Sequence, residues 1–205
     1  ELVKLANKHC LLSSTYEPSS KTKMTLRAAP GAGRMYLQSE CAAALTELFA
    51  GAEEAGYKLY LKSAYRSYKT QKTMYNNRLE RNNGKDDGWV SKPGASDHQT
   101  GLGCDVVPGS WKDKSMNSNM ASTPECQWMA EHCYEYGFII RYPEDKQDIT
   151  EINYEPWHLR YVGKEVARYI WRNGLCLEEF HEQLQAAIDE YLEAGGDPRR
   201  VEDLI

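Results

Sequence analysis

The sequence predicts an α+β fold in which a small antiparallel sheet is flanked by helices. Apolar residues recur at helical spacing in several segments, of which 37–52 and 177–192 are the clearest. Residues 59–63 and 102–107 instead alternate in the manner of short, half-buried strands. These segments do not follow a regular strand–helix–strand order, so an α+β domain is favoured over a wound parallel sheet.

Length and composition predict one globular domain over residues 1–205. A chain of 205 residues with 41% hydrophobic residues can bury a proper core. Residues 1–35 show little periodicity and many small or polar side chains, which predicts an extended N-terminal arm that wraps the domain. Residues 177–205 are expected to form a C-terminal helix and tail.

A helix, a strand and a second helix are expected after the arm. Apolar side chains at helical spacing begin after Tyr36, and Gly56 is expected to end this helix. The strand at 59–63 leads to Ser67, which can cap a helix over roughly 68–81. The corner between this strand and the second helix carries two polar residues, Arg66 and Gln71.

A polar motif follows at residues 96–105. His98 falls in a loop, whereas Asp105 falls on a strand whose apolar positions are Leu102, Cys104 and Val106. On a continuous strand, residues seven positions apart would face opposite sides of the sheet. The chain must therefore bend for His98 and Asp105 to reach one ion, and Gly101 and Gly103 are expected to bend it.

The second half of the chain is predicted to alternate short strands and helices. Residues 108–122 indicate a surface loop, and Thr123 with Pro124 indicates the start of a helix that Gly137 closes. A strand at 138–142 and a charged loop at 144–148 come next. They are followed by a strand-like run at 152–162 and by helices at 163–173 and 177–194. Pro156 should kink the strand-like run. The apolar stripe of the last helix favours a role as core cover over a partner-binding face.

Charge and hydropathy argue against two classes of partner. The net charge is −5 and no dense run of Lys and Arg occurs, so no nucleic-acid partner is expected. No apolar run reaches the roughly 18 residues that a transmembrane helix needs. The chain begins at Glu1 rather than Met, which suggests either a trimmed chain or a mature form from which any targeting segment has been removed.

The six cysteines show no CxxC spacing of the kind that zinc clusters use. Cys126 and Cys133 lie on one predicted helix, about 10.5 Å apart along its axis, which is too far for a disulfide. Buried free thiols are favoured over one or two disulfides elsewhere.

Two imidazoles and two carboxylates in turn-flanked segments point to a catalytic zinc site. His98, Asp105 and His158 would supply the three protein ligands that leave one position open for water. Glu155 would then be a carboxylate free to act as general base. Arg66 would stabilise the oxyanion that forms on the substrate.

Each of these residues alone is unremarkable, but together they resemble a known family. The motifs are Ser-x-His-x-x-Gly-x-x-x-Asp at 96–105 and Glu-x-x-His at 155–158, preceded by Ser-Ala-Tyr-Arg-Ser-Tyr-x-x-Gln at 63–71. They resemble the zinc D-Ala-D-Ala carboxypeptidases, a family that includes VanY-type enzymes and bacterial L,D-carboxypeptidases of the LdcB and DacB kind. The resemblance runs from about Leu37 to Leu177.

The resemblance implies a fold shared with DD-peptidases and hedgehog domains, and it assigns roles to residues. It implies that His98, Asp105 and His158 bind Zn²⁺, with Glu155 as base and Arg66 as the arginine that stabilises the transition state. Further residues match positions that contact or wall the peptide substrate: Ser96, Gln71, Tyr142 and Trp157. Gly103 stands where the family motif usually has alanine, a change not expected to disturb ligation.

The family also implies a partner and a location. The substrate would be a peptidoglycan stem peptide outside the bacterial membrane, handled by a secreted or membrane-anchored protein, and a monomer is favoured. The residues do not choose between D-Ala-D-Ala and L,D cleavage. Two other functions remain as alternatives, a non-catalytic peptide- or cell-wall-binding module and a protein with a purely structural zinc ion.

Overall fold

A computed structural model describes residues 1–204 and confirms the α+β fold. The strands are β1 (Thr22–Lys23), β2 (Tyr36–Leu37), β3 (Leu59–Ser63), β4 (Gly103–Pro108), β5 (Phe138–Ile140) and β6 (His158–Tyr161). The helices are α1 (Ser39–Glu54), α2 (Tyr68–Arg81), α3 (Pro124–His132), α4 (Gln147–Thr150), α5 (Lys164–Asn173) and α6 (Leu177–Glu193). Ile205, the end of the predicted tail, lies outside the described residues.

The central sheet brings three distant segments side by side. It has four antiparallel strands in the order β3-β4-β6-β5, while β1 and β2 form a separate pair. Ser63 pairs with Asp105, and Asp105 pairs with His158. Residues paired across neighbouring strands point to the same face, so this row places three polar side chains together on the sheet.

Local signals predicted the helix ends well. The Ser67 side chain accepts a hydrogen bond from the Thr70 backbone N–H at 3.2 Å and so caps α2. The Thr123 side chain caps α3 in the same way. The first helix is the exception, because α1 begins only at Ser39. Tyr36–Leu37 instead forms β2, where the apolar Leu37 is buried by packing as a strand residue.

Several predicted segments of the second half are shorter or differently folded. Strand β5 ends at Ile140 rather than 142, and β6 occupies only His158–Tyr161 of the strand-like run. The charged segment near 144–148 contains helical turns, and the predicted loop 108–122 contains two 3₁₀ turns and the fully buried Met120. In each case tertiary contacts, which the sequence pattern does not contain, set the boundary.

Helix α1 supplies much of the core, whereas α6 covers it only at its start. Side chains along one face of α1 pack into the main cluster beneath the sheet, among them Leu45, Leu48 and Phe49. On α6, Leu177 and Phe180 are buried in a second cluster, but Leu192 is 38% exposed. The core-cover prediction for α6 is therefore correct for its first two turns, where the partly buried Leu184 also packs against this cluster.

A buried ionic cluster anchors the N-terminal arm. Arg141 donates to Asp97 Oδ2 at 2.6 Å and to both oxygens of Glu178, and Arg160 donates to Asp97 Oδ1. The Arg160 guanidinium also donates to the backbone carbonyls of Leu2 and Lys4, and Arg141 donates to that of Ala6. Fixed charges thus hold the arm against the segment that carries His98. We refer to Asp97, Arg141, Arg160 and Glu178 as the anchor cluster.

Two further expectations concern thiols and membranes. All six cysteines lie within residues 1–204; each is free, and all but Cys10 are buried. Free buried thiols were the favoured prediction. None of the helices within residues 1–204 combines the length and the apolar character that crossing a membrane requires.

Candidate active site

The candidate site lies at one end of the central sheet, where β4 and β6 pair. Asp105 and His158 face each other across this pair. His98 belongs to a 3₁₀ turn at Asp97–Thr100, which Ser96 caps by accepting from the His98 backbone N–H. Gly101 follows with a φ of 72°, a backbone conformation that favours glycine, and turns the chain into β4.

The bend expected at Gly103 does not occur, because of these two glycines Gly101 alone has a positive φ. The lack of a side chain at Gly103 instead allows a close approach of two segments. A Cβ atom at Gly103 would lie 2.9 Å from Asp97 Cβ and 3.0 Å from the Asp97 carbonyl carbon, closer than ordinary contact. In this chain the absent methyl group lets the His98 turn pack directly on β4.

The three expected metal ligands converge. His98 Nε2 lies 3.4 Å from Asp105 Oδ2, and His158 Nδ1 lies 3.1 Å from Asp105 Oδ1. One ligand atom from each residue lies within 4.8 Å of the others. Ligand atoms about 2.0–2.1 Å from a tetrahedral zinc ion would be about 3.4 Å apart, and the two separations that involve Asp105 are close to this value.

The protonation of His98 and Asp105 also suits a cation. His98 Nδ1 lies 2.7 Å from the Ala64 carbonyl oxygen, which can only accept, so Nδ1 carries the proton and Nε2 offers a lone pair. Burial, together with Arg66, lowers the pKa of His98. Burial alone would raise the pKa of Asp105, but the two imidazoles outweigh it and hold that pKa well below its ordinary value. Neutral imidazole and ionised carboxylate are the forms that bind metal ions.

His158 has an unusual second ring nitrogen. Its Nε2 atom is buried and has no hydrogen-bond partner within the described residues. Its Nδ1 atom faces Asp105 and lies 3.7 Å from Glu155 Oε2. The nitrogen that can reach a shared ion is therefore Nδ1, because it points toward the other donor atoms.

Glu155 lies beside the three ligands but outside the group that they form. A turn holds it there, since its backbone N–H donates to the Tyr142 carbonyl and its carbonyl accepts from the His158 N–H. This turn contains Pro156, so the expected kink is present. Burial and the neighbouring Asp105 carboxylate raise the pKa of Glu155 well above its ordinary value, against the opposing effect of Arg66. A carboxylate with raised proton affinity suits a general base.

Arg66 reaches the same cleft with two of its nitrogens fixed. Nη1 donates to Gln71 Oε1 at 2.7 Å, and Nη2 donates to Ser63 Oγ at 3.0 Å. Gln71 is only 1% exposed, and its Nε2 donates to the Ser91 carbonyl at 2.6 Å. Both ends of the Gln71 amide are thus engaged inside the protein, which favours holding Arg66 over contacting a peptide.

The remaining expected substrate residues line the cleft. It has a volume of about 250 Å³, and its lining includes Ser96, Tyr142 and Trp157 together with the three ligands. The Tyr142 ring lies 5.1 Å from the His158 ring. Trp157 stacks on Trp89, with ring centroids 6.3 Å apart and planes 15° apart.

The sequence reasoning missed part of the cleft. Six residues from three further segments also line it: Met74, Arg78, Trp89, Val90, Ser91 and Met116. Met74 and Arg78 follow Gln71 at positions three and seven, so the helical spacing of α2 could have revealed them. Trp89 and Met116 come from irregular segments, and no periodic signal marks them.

The sequence is similar to a known protein family and to a bacterial relative. The family model VanY, described as D-alanyl-D-alanine carboxypeptidase, matches residues 34–164. YodJ of Bacillus subtilis (strain 168) is 40% identical over 187 residues, which cover 90% of this chain and 68% of YodJ.

Two solved structures are also similar. The LdcB LD-carboxypeptidase is 41% identical with a TM-score of 0.81, and the match covers 87% of this chain and 84% of that chain. A mutant of the vancomycin resistance D,D-pentapeptidase VanY in complex with Zn(II) is 28% identical with a TM-score of 0.72, covering 87% of this chain and 98% of that chain.

Proposed function

The chain belongs to the VanY family of D-alanyl-D-alanine carboxypeptidases, and from this premise we propose that it is a zinc-dependent carboxypeptidase that removes C-terminal D-alanine from peptidoglycan stem peptides. Membership makes the protein a peptidase. The observation that carries the zinc-dependent reaction is the convergence of His98 Nε2, Asp105 and His158 Nδ1 beside Glu155. A similar structure binds Zn(II), which supports zinc as the ion.

Three residues hold the ion and two act on the substrate. A zinc ion held by His98, Asp105 and His158 would supply the Lewis acid that polarises the scissile carbonyl and acidifies the attacking water. Glu155 takes a proton from that water as the oxygen attacks the carbonyl carbon. The same carboxyl group then gives the proton to the leaving amine as the C–N bond breaks, so that acid and D-alanine result.

Arg66 stabilises the negative charge that develops on the carbonyl oxygen. Its bonds to Ser63 and Gln71 fix the guanidinium plane before substrate binds. A donor that is already oriented needs no reorganisation at the moment of reaction, so its interaction strengthens in the transition state. We assign Gln71 to this positioning of Arg66. Ser96, Tyr142 and Trp157 are proposed to wall the part of the cleft that receives the peptide.

Similarity favours cleavage of an L,D bond over a D,D bond. The chain is 41% identical to the LdcB LD-carboxypeptidase at a TM-score of 0.81, against 28% and 0.72 for the VanY D,D-pentapeptidase. We therefore propose the stem tetrapeptide, which ends in an L,D bond, as the preferred substrate. Action on peptidoglycan also implies an extracytoplasmic location, and the cleft needs no second subunit, which supports a monomer.

The decisive experiment incubates the purified, zinc-loaded protein with a stem tetrapeptide and a stem pentapeptide and weighs the products. We expect loss of one alanine from the tetrapeptide, and a rate about 10²–10⁴-fold lower for Glu155→Gln with zinc retained. Full-rate release by Glu155→Gln would refute the role of that residue. Faster cleavage of the pentapeptide would refute the L,D preference but not the carboxypeptidase activity.

A non-catalytic binding module is the less favoured function. Such a module has no need of a base or of an oriented arginine, yet Glu155 and Arg66 both face the cleft here. A purely structural zinc ion needs a fourth protein ligand. Within residues 1–204, the group of potential ligands comprises three residues only.

A further inference from the structure

We propose that Arg78 is a specificity-determining residue, whose guanidinium binds a carboxylate of the substrate peptide about 10 Å from the reacting carbonyl on its acyl side. This inference rests on the proposed carboxypeptidase function. It concerns the outer end of the cleft, to which neither the sequence motifs nor the catalytic roles assign a residue.

Helix α2 forms one side of the cleft from Gln71 to Arg78. Gln71, Met74 and Arg78 all line the cleft that contains the metal ligands. Their spacing of three and four residues places them on one face of the helix. Gln71 touches Arg66, so this end of the face marks the reacting centre.

Arg78 lies seven residues beyond Gln71. At 1.5 Å per residue, the two positions are about 10.5 Å apart along the helix axis. An extended peptide spans about 3.3–3.6 Å per residue, so this distance corresponds to about three residues of substrate. A carboxypeptidase has one residue on the leaving side of the bond. The substrate beside Arg78 must therefore be the acyl part.

The guanidinium of Arg78 is held by an ion pair with Asp87. Nε and Nη2 donate to Asp87 Oδ2 at 3.0 and 2.5 Å, whereas Nη1 has no partner in the part of the chain that the structure describes. Asp87 is itself fixed, because its backbone carbonyl accepts from Asn153 Nδ2 at 2.8 Å. Arg78 lines the cleft but Asp87 does not. The ion pair thus fixes the guanidinium at the cleft and leaves one nitrogen for a further acceptor.

The Asp87 carboxylate balances the charge of Arg78, so the open Nη1 donor, rather than a net positive charge, favours a carboxylate at the outer cleft. Around Arg78 the lining consists of uncharged side chains, Met74, Trp89, Val90 and Ser91. The nearby Asp86 carboxylate is taken by Lys8, Tyr75 and the Gly88 backbone N–H. A guanidinium with a fixed plane and an open N–H forms charge-assisted hydrogen bonds with carboxylates.

A stem peptide offers two carboxylates at such a distance. One is the α-carboxylate of a γ-linked glutamyl residue, and the other is the second carboxylate that some diamino acids carry in their side chain. Both present the same chemistry to Arg78, and selective amidation of each one distinguishes them.

The test uses three synthetic tetrapeptides with zinc-loaded protein: one with both carboxylates free and two with one of them amidated. The measured quantity is the acid-to-amide ratio of kcat/KM for release of D-alanine. For the unmodified protein we expect a ratio of about 10 at the carboxylate that Arg78 binds, as for loss of one charge-assisted hydrogen bond. Arg78→Gln should bring this ratio close to 1, and Arg78→Lys, which keeps the charge, should give an intermediate ratio.

Arg81→Gln is the matched control, because Arg81 lies on the same helix but is exposed and does not line the cleft. It should leave the ratio unchanged. An unchanged ratio in Arg78→Gln, or faster cleavage of both amides than of the acid by unmodified protein, would overturn the role of Arg78 while D-alanine release still supported the proposed function. Release of D-alanine neither from these tetrapeptides nor from the stem pentapeptide would overturn both.

Discussion

Arg66 and Gln71 are joined by a hydrogen bond of 2.7 Å between Nη1 and Oε1, and the other end of the Gln71 amide is bonded to the Ser91 carbonyl. Because both ends of this buried amide are hydrogen-bonded, Gln71 cannot rotate freely and holds the Arg66 guanidinium in one orientation. The orientation of the arginine therefore depends on a side chain that also ties down the segment next to Trp89.

The first prediction concerns this pair. Gln71→Met keeps the side-chain length but removes the acceptor, so kcat should fall about 10-fold with little change in KM. Arg66→Met should lower kcat by about 10²–10³-fold, as when an oxyanion donor is removed. In the double variant, the Gln71 change should have no additional effect on kcat. A rise in KM for Gln71→Met would instead indicate direct substrate contact.

The second prediction concerns metal removal. Chelation should abolish D-alanine release, and one equivalent of zinc should restore it. Zinc should also raise the thermal unfolding midpoint, because an ion that binds the folded state stabilises it by mass action. Asp105→Asn removes the only charged ligand and should weaken this shift. An unchanged midpoint on adding zinc to chelated protein would contradict the site.

The third prediction concerns the anchor cluster. Arg160→Met leaves Asp97, which is 0% exposed, with one cationic partner instead of two. Removing one member of a buried ion pair typically lowers the free energy of unfolding by about 3–5 kcal/mol. Lys164→Met is the control, because its pair with Glu47 is exposed, with side chains 56% and 61% accessible. Urea denaturation should show no measurable change for this control.

The fourth prediction concerns pH. Burial would raise the pKa of Glu178, but Arg141 outweighs this effect and the net pKa is lowered. A carboxyl group whose pKa is depressed on folding stabilises the protein above its unfolded pKa of about 4.3. This stabilisation is lost as the pH falls through the folded pKa. Glu178→Gln should therefore show a weaker decline of unfolding free energy below about pH 4.3 than the unmodified protein. Equal slopes would exclude Glu178 as a contributor.

The fifth prediction concerns Gly103. Gly103→Ala introduces a methyl group 2.9 Å from Asp97 Cβ and should lower the unfolding free energy by about 1–3 kcal/mol, as overpacking does. Gly109→Ala is the control, since its Cβ would meet only Tyr60 at an ordinary 3.4 Å. Melting curves of both variants would test this. Equal effects would mean that the His98 turn can shift to accept the alanine usual in the family motif.

The parts of the fold that follow from near neighbours could be predicted from the sequence. Ser67 and Thr123 cap their helices because capping involves residues only three positions away. The bend at Gly101 and the kink at Pro156 followed from the odd spacing of polar residues that must share an ion. Strand β5, by contrast, ends two residues early. The Arg141 backbone N–H still donates to the His158 carbonyl of β6, but its side chain joins the anchor cluster, whose partners are remote in sequence.

In the candidate site, too, features set by local motifs could be predicted and features set by remote contacts could not. The motif residues were predictable, since each type has a chemical reason to be there. Trp89 was not, because its place is set by stacking on Trp157 and by an Asp87–Asn153 contact across 66 positions. The buried amide of Gln71 was expected to touch substrate, and only its two bonded ends indicate that it holds Arg66.

The anchor cluster also sets the order in which the molecule can be completed. The carbonyls of Leu2 and Ala6 are bonded to guanidinium groups 158 and 135 positions later. Contacts between such distant residues form only after a long loop has closed. A growing chain that has not yet reached Arg160 lacks the guanidinium that binds the carbonyls of Leu2 and Lys4, and its strand β6, which begins at His158, is still incomplete. Docking of the N-terminal arm and completion of the strand that carries His158 therefore depend on the same short segment of the chain.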